Sequence, residues 1–320
     1  MTAVRGPAAA AEAAAEAAAE AWADYRNLAD AVGVEVRTIT AEDASEAAAL
    51  LAQIWGVKPI EPAMLISLAH TGSYAVVAVD GHKTDAPETN DRSIAHSHGD
   101  SGVILGATAG YFARPLGKVL HSHVAGVLPE MNRPGIGRVM KLHQRAWCLD
   151  LGVTEVTWTF DPLVARNAHI NITRLGADVD EYLIDFYGVM ADGINAGQGS
   201  DRVVVRWHLD APYFLTDPSR AGAGLPPASF ALGAKLPRSA VPPRLTVAPD
   251  GLPAVVPATA SAAVTLAIPR DIEGLRQTDP ARASAWRSAL RVAMAPLLAD
   301  GWHVTGFHPV TGYLVERPAT

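Results

Sequence analysis

The sequence has little cysteine, little charge and no long apolar run, and each shortage excludes a class of protein. Its 320 residues include a single cysteine, Cys148, which excludes an internal disulfide and a cysteine-rich metal cluster. Charged residues make up 18% of the chain and the formal net charge is −7, whereas nucleic-acid binding needs clustered lysine and arginine. No apolar run reaches the roughly 18 residues of a membrane span. We therefore expect a globular protein with neither a nucleic-acid nor a membrane partner, in which Cys148 is buried filler.

The N-terminal segment is an alanine tract interrupted by glutamates. Glu12, Glu16 and Glu20 recur every four residues, a charge pattern that the apolar segment of a secretory signal does not tolerate. We therefore expect a cytoplasmic protein. The same spacing places the glutamates on one face of a helix, and an apolar stripe that begins at Trp22 follows them. The pattern predicts a helix over 8–32 whose second half docks on the rest of the chain.

The rest of the chain alternates short strand and helix patterns. Runs rich in β-branched and aromatic residues predict strands, and apolar residues at helical spacing predict helices. The predicted strands are 34–39, 74–80, 102–113, 119–128, 154–161, 178–187 and 202–209. The predicted helices run from the Thr40–Asp43 capping signature to Trp55, from about Gly135 to Gly152, and from about Pro162 to Leu175. Strands outnumber helices, and short turns join neighbouring strands. The sequence therefore predicts a mixed α/β (α+β) fold with a largely antiparallel sheet flanked by helices.

Composition divides the chain into four segments. An alanine-rich N-terminal helix (1–33) precedes the mixed α/β domain (34–210). Proline and small residues dominate 211–262, which predicts a linker or a strap without a core of its own. A strand, a helix that starts at the Asp279–Pro280 cap and two further strands predict a β-α-β-β extension over 263–320.

The most informative stretch is HSHVAGVLPEMNRPGIGR, which covers residues 121–138 and passes from a strand through a turn into a helix. Main-chain N–H groups at a helix start lack intrahelical partners and bind anions. Gly135 and Gly137 remove side chains that would keep a phosphate away, and Arg133 and Arg138 add positive charge around it. A pyrophosphate fits this chemistry, and the pattern is neither the P-loop nor the dinucleotide-binding fingerprint.

The run NRPGIGR resembles the pyrophosphate-binding turn of the GNAT superfamily of acyl-CoA-dependent N-acyltransferases. The usual form there is Gln/Arg-x-x-Gly-x-Gly/Ala, and this chain has both glycines but Asn132 where Gln or Arg is commonest. The order of predicted elements over 34–210 is also similar to that fold. The runs HSHVAGVLPEMNRPGIGR and TWTFDPLVARNAHINITRLGA, with IPRDIEGL and ADGWHVTGF in the tail, are similar to a branch of acetyltransferases of unknown substrate.

The resemblance implies acetyl-CoA as co-substrate, the amine of a small molecule or peptide as acceptor, direct attack in a ternary complex, and no metal. It implies that strand 119–128 parts from strand 154–161, so that pantetheine pairs with the exposed main chain and the Ala125 N–H polarises the thioester carbonyl. A tightly packed strand is the alternative for this Ala-Gly-Val segment. The implied cofactor-binding residues are Ala125, Gly126, Val127, Asn132, Arg133, Gly135, Ile136, Gly137, Arg138, Asn167 and Asn171, and the alternative for the last two is a local cap or packing role.

Acetyl transfer to an amine also needs a base for the acceptor and an acid for the departing thiolate. Many members of the family place a glutamate base on the cofactor-binding strand, and an ungapped count back from the glycine turn puts His121 there. His123 lies one strand repeat nearer the thioester on the same face. Two half-buried histidines with polar neighbours are the alternative. The family's usual proton-donating tyrosine would fall near Ile172, which cannot donate a proton. The groups that could donate the proton instead are His169, Tyr182, Tyr187 and solvent. We take Tyr187 as a candidate catalytic residue.

Other features receive plainer interpretations. His96 and His98 lack a third ligand at a readable spacing, so no metal site is predicted. His143 is interpreted as a satisfied core histidine, and the loop 188–201 is expected to help define the acceptor. The C-terminal extension either shapes the acceptor cleft or forms a homodimer contact. Two other functions stay open: a non-catalytic acyl-CoA-binding sensor, and a scaffold that engages a protein partner.

Overall fold

The protein is described from a computed structural model, which covers residues 7–81, 102–128, 134–188, 199–211, 241–257 and 260–318. The chain divides between Thr154 and Glu155 into two compact units. Among the described residues, no helix is long and apolar enough to cross a membrane. The domain boundaries drawn from composition are not tested by this division and stay a prediction.

The described part of the first unit combines four antiparallel strands with four helices. In chain order its elements are α1 (Pro7–Val32), β1 (Val34–Thr38), α2 (Ala44–Trp55), α3 (Pro62–His70), β2 (Ala75–Asp80), β3 (Ile104–Ala113), β4 (Val119–Val127) and α4 (Ile136–Asp150). The strands lie in the order β1-β2-β3-β4, and each pairs with its neighbour in antiparallel fashion. The connection from β3 to β4 is short, as antiparallel neighbours allow, whereas α2 and α3 lie between β1 and β2.

Helices cover both faces of these strands. On one face, α2 and α3 enclose an apolar core that includes Leu51, Leu65 and Val124. On the other face lies α4, where the Phe112 ring of β3 stacks on Trp147 at 6.0 Å between ring centroids. The two faces matter for function because β4 presents different side chains to each of them.

Helix α1 confirms the prediction of a helix over 8–32 whose second half docks. Its buried residues, Ala18, Ala21, Tyr25 and Ala29, recur every three or four positions as one face of a helix requires. Tyr25 packs edge-on against His143 of α4, with ring centroids 5.0 Å apart. The alanine-rich first half of the described helix is largely exposed.

The strands in the described part of the second unit fall into two groups. Its elements are β5 (Glu155–Phe160), α5 (Ala165–Ala168) continued by a π-helical turn (His169–Arg174), β6 (Asp178–Leu183), β7 (Arg202–His208), β8 (Pro243–Val247), β9 (Pro253–Val255), β10 (Ala263–Leu266), α6 (Ile272–Thr278), α7 (Pro280–Ala299), β11 (His303–His308) and β12 (Gly312–Glu316). Strands β5, β7 and β6 form an antiparallel group in that order. The other sheet has the order β11-β12-β10-β8-β9, in which β8 and β10 are parallel.

The predicted fold class is confirmed, but several local predictions need correction. The C-terminal segment has two helices rather than one, because Asp279 ends α6 and also caps α7 by accepting a hydrogen bond from Arg282 N at 3.0 Å. Strands β8 and β9 lie inside the range read as a linker or strap. The helix predicted from Pro162 begins at Ala165, and helix α3 was not predicted.

Candidate functional site

Strand β4, which carries most of the predicted site, has an irregular register with β3. Ala109 lies opposite Val124 and Gly110 lies opposite Ser122, so His123 is an extra residue without an opposite partner. Such a β-bulge turns the side chains on either side of it to different faces of the sheet. Ser122 accordingly faces α4, while Val124 packs in the core beneath α2 and α3.

The two predicted base candidates share one face of β4 with a tyrosine. The Tyr111 ring lies 5.3 Å from the His121 ring and 5.9 Å from the His123 ring, measured between centroids. His121 is partly buried and His123 is exposed. Burial, and to a lesser extent His123, lower the pKa of His121, which favours the neutral imidazole that a base requires. Tyr111 was not predicted, because its position depends on the register of β3.

Beyond the bulge, the predicted cofactor-binding residues of β4 alternate between the two faces. A Cβ on Gly126 would lie 2.7 Å from Ile54 Cδ1 of α2, so glycine is required there by packing. Ala125 and Val127 therefore turn to the face of α4, and Ala125 is exposed. The expected gap between strands 119–128 and 154–161 concerns two different units and stays a prediction.

Helix α4 begins as the glycine pattern predicts. Gly135 takes the N-cap position with φ of 112°, a left-handed conformation that glycine adopts without strain, and it supplies no capping side chain. The Val139 N–H donates to the Gly135 carbonyl at 2.9 Å, so the N–H groups of Ile136, Gly137 and Arg138 precede the first intrahelical bond.

The two glycines at this helix start differ in how closely other side chains pack against them. A Cβ on Gly135 would lie 3.0 Å from the Val32 side chain, whereas no described atom lies within 4 Å of the corresponding position on Gly137. Gly137 is exposed and Ile136 is buried. Asn132 and Arg133, predicted to flank the same turn, lie outside the described residues.

A second polar group lies between α4 and β4. Lys141 Nζ donates to Gln144 Oε1 at 3.0 Å, and Gln144 Nε2 donates to Ser122 Oγ at 3.2 Å. Burial lowers the pKa of Lys141 to about 8. Sequence reasoning did not single out these residues, although Lys141 follows Gly137 by four positions and so shares its helix face.

The remaining candidates belong to the second unit. Asn171 is buried and its carbonyl accepts from Ala177 N at 2.9 Å, while Asn167 is partly buried. Tyr187 is exposed, its hydroxyl lies 3.3 Å from Thr159 Oγ1, and the Arg202 guanidinium lies 5.2 Å from its ring centroid. Their roles toward a cofactor or substrate stay predictions.

The residues near the family's usual tyrosine position differ in burial and in pKa. Ile172 is fully enclosed. Burial and a 2.7 Å hydrogen bond to Asp201 raise the pKa of Tyr182, so this phenol holds its proton strongly. Burial, together with Arg174, lowers the pKa of His169. Tyr182 is thus part of a buried polar network rather than an accessible acid.

Three plainer interpretations can be compared with the structure directly. Cys148 is buried, and burial raises the pKa of its thiol. His143 Nδ1 lies 2.9 Å from the Tyr74 hydroxyl, and burial lowers the pKa of this imidazole to about 4. Both residues are core residues, as predicted. Within the described ranges no three His, Cys, Asp or Glu side chains form a metal-binding group, and His96 and His98 fall outside those ranges.

Comparisons with known proteins find likeness of structure only. No family model matches the sequence, and no curated protein matches it. The chain is similar to a GNAT superfamily phosphinothricin acetyltransferase from Sinorhizobium meliloti solved in complex with AcCoA, with 15% identity, a TM-score of 0.40, and coverage of 61% of this chain and 94% of that one. It is also similar to an N-acetyltransferase from Staphylococcus aureus Mu50, with 14% identity, a TM-score of 0.40, and coverage of 55% and 98%. Both of these solved structures are acetyltransferases.

Proposed function

We propose that this chain is an acyltransferase that moves an acetyl group from acetyl-CoA to an amine acceptor by direct attack in a ternary complex. The observation that supports this proposal most is the start of α4, where Gly135 supplies no capping side chain and no atom of the described residues lies within 4 Å of the Cβ position of Gly137. Main-chain N–H groups at such a position attract anions. The diphosphate of coenzyme A is an anion of suitable size and charge.

The proposed reaction uses the two faces of β4. Pantetheine extends from the helix start along the strand toward Ala125, whose N–H polarises the thioester carbonyl. The amine of a small molecule or peptide approaches His121 and His123, which remove its proton. No step in this scheme requires a metal. The expected cytoplasmic location and homodimer contact stay predictions.

Gly137→Glu tests the proposal with little risk to folding. The new side chain meets no described atom within 4 Å of its Cβ position, and a carboxylate near a helix N-terminus stabilises the helix. The same carboxylate repels a diphosphate, so we expect acetyl-CoA binding measured by calorimetry to be lost while the melting temperature is kept or raised. Gly135 is less informative, because substitution there strains a left-handed backbone.

Gly137→Ala is the matched control, since a methyl group fills open space without adding charge. Unchanged affinity in Gly137→Glu would remove the helix start from the site.

A thiol-release screen of the wild type over amines, amino acids and peptide N-termini then separates the candidate functions. Binding without thiol release would favour the sensor, which the enclosed Ile172 at the usual tyrosine position motivates, and absence of binding would defeat both.

A further inference from the structure

The face of α4 that opens at Gly137 continues into a chain of polar side chains. Gly137, Lys141 and Gln144 follow at intervals of four and three residues, so they lie along one face of the helix. Lys141 Nζ donates to Gln144 Oε1 at 3.0 Å, and Gln144 Nε2 donates to Ser122 Oγ of β4 at 3.2 Å. Gln144 is thereby fixed at both ends of its amide, and it holds the lysine head group on this face.

The contacts between α4 and the strands give the level of Lys141 along β4. Met140 Sδ lies 3.0 Å from the Cβ position of Gly106, which is paired with Val127. Gln144 lies at the level of Ser122. Lys141 follows Met140 directly, so it lies between these two levels, where Ala125 turns to the same face of the strand. This is where the proposed thioester would pass.

The charged and titratable groups that α4 itself places near Lys141 are two arginines and a thiol. On α4, Arg138 and Arg145 lie a turn away on either side, and Cys148 is a buried thiol. Strand β4 contributes the uncharged Ser122. Two titratable side chains of other elements, Tyr25 of α1 and Tyr74, which precedes β2, contact His143 on the flank of α4 away from Lys141.

Burial has the largest effect on Lys141 and lowers its pKa to about 8, while the Cys148 thiol acts in the opposite direction. A thiol ordinarily has a pKa of about 8.5. A donor whose pKa is close to that of the leaving group transfers a proton efficiently.

We propose that Lys141 is the general acid that protonates the departing thiolate of coenzyme A, a role that rests on the proposed acetyl transfer. The acceptor nitrogen bonds to the thioester carbon and loses its proton to a histidine of β4. The C–S bond breaks, and its electron pair stays on sulfur. The Lys141 ammonium gives a proton to that sulfur, and the resulting amine regains a proton from water. Gln144 and Ser122 are positioning residues for the ammonium.

Lys141→Met and Lys141→Arg separate proton donation from charge. A methionine of similar length removes a partly buried charge, which proteins generally tolerate. Arginine keeps the charge but does not release its proton near neutral pH. In the wild type we expect kcat to fall as pH rises through about 8, because the ammonium is lost. Both variants should lack this fall and should have a kcat lower by roughly a hundredfold or more, with KM for acetyl-CoA little changed.

The bound thiol provides a second measurement that needs no acceptor. The ultraviolet absorbance of the thiolate reports the pKa of coenzyme A in its binary complex. We expect this pKa to be lower in the wild type and in Lys141→Arg than in Lys141→Met, because a nearby cation favours the thiolate. Lys118→Met, which replaces an exposed lysine, is the matched control and should behave as the wild type in both measurements.

The outcomes distinguish this assignment from the proposed function. A wild type that neither binds coenzyme A nor releases thiol overturns both. An active wild type whose Lys141→Met variant keeps the kcat, the alkaline fall and the bound-thiol pKa overturns only the role of Lys141.

Discussion

At the scale of single residues, the two histidines of β4 differ in environment although they share one tyrosine neighbour. His121 is partly buried and its pKa is lowered by burial and by His123, whereas His123 is exposed. The neutral imidazole is the basic form, so a lowered pKa extends the range of pH in which His121 can accept a proton. His121 is therefore the better placed base, and His123 and Tyr111 shape its surroundings.

Alanine substitution of each histidine tests this difference. We expect His121→Ala to reduce kcat by about 10²- to 10⁴-fold while the affinity for acetyl-CoA changes little. His123→Ala should reduce kcat less and should raise the pKa of His121, because a repulsive neighbour is removed. On the acidic side, the wild-type kcat should fall below about pH 6.5, the ordinary pKa of histidine, in addition to the alkaline fall expected from Lys141. Steady-state kinetics over pH provide the measurement.

His70→Ala is the control, since His70 is an exposed histidine at the end of α3. Wild-type turnover in both single variants and in the double variant would exclude a histidine base.

Residue patterns predict some parts of this candidate site better than others. Gly135, Gly137 and His121 could be singled out because a helix start and a strand repeat are local features of the sequence. Lys141 and Tyr111 could not, because their positions depend on how β3, β4 and α4 register with one another. The bulge at His123 is the clearest case, since one unpaired residue decides which side chains face α4.

At the scale of elements, the start of α2 shows how a short motif fixes a helix. The Thr40 N–H donates to Asp43 Oδ2 at 2.8 Å, and the Asp43 N–H donates to Thr40 Oγ1 at 3.4 Å, as the predicted capping signature requires. Arg37 of β1 adds hydrogen bonds of 2.6 and 2.9 Å to the same carboxylate. This pair ties the end of β1 to the start of α2, and the Arg37 hydrogen bonds contribute most to lowering the pKa of Asp43 to about 2.

Asp43→Asn should destabilise the first unit by about 1–2 kcal/mol at neutral pH, because the amide oxygen still accepts hydrogen bonds from Thr40 but the ion pair with Arg37 is lost. The stabilisation from an Asp with a lowered pKa is complete above its unfolded value of about 3.9 and is lost as pH falls through about 2. The variant should therefore lose less stability than the wild type across this acidic range, as followed by denaturant unfolding. The exposed neighbour Glu42 supplies the control, Glu42→Gln; equal acid dependence in Asp43→Asn and the wild type would contradict this account.

Elements that the sequence did not reveal share a physical cause. Helix α3 is only nine residues long and buries one side chain, Leu65, so its apolar pattern is weak. Strands β8 and β9 both begin with proline, and they pair with each other across a short turn, while β8 also pairs with β10. Composition describes such segments as irregular because proline is depleted in strands and because the pairing with β10 is not a local feature of the sequence.

At the scale of the whole molecule, the C-terminal extension is an integral part of the second unit. Helix α7 contacts β6 of one sheet and β8 to β10 of the other. Arg287 of α7 donates to Asp161 at 2.8 and 2.6 Å, and Arg291 donates to Asp201 at 2.9 and 2.6 Å. Asp161 directly follows β5 and Asp201 directly precedes β7, so α7 is bound to the strand ends by buried carboxylates. Removal of this extension should therefore destabilise the second unit, because the buried carboxylates would lose their arginine partners.

Arg287→Met tests whether α7 stabilises the second unit through these pairs. Burial alone would raise the pKa of Asp161, but Arg287 and Arg276 hold it below its usual range, so the carboxylate stays charged. Loss of Arg287 leaves that buried charge partly uncompensated, and we expect a loss of about 3–5 kcal/mol in the free energy of unfolding. Arg282→Met, which breaks an exposed pair with Asp279 on the same helix, should cost at most about 1 kcal/mol. Equal losses in the two variants, measured by denaturant unfolding, would mean that the buried pair does not hold α7 to the strands.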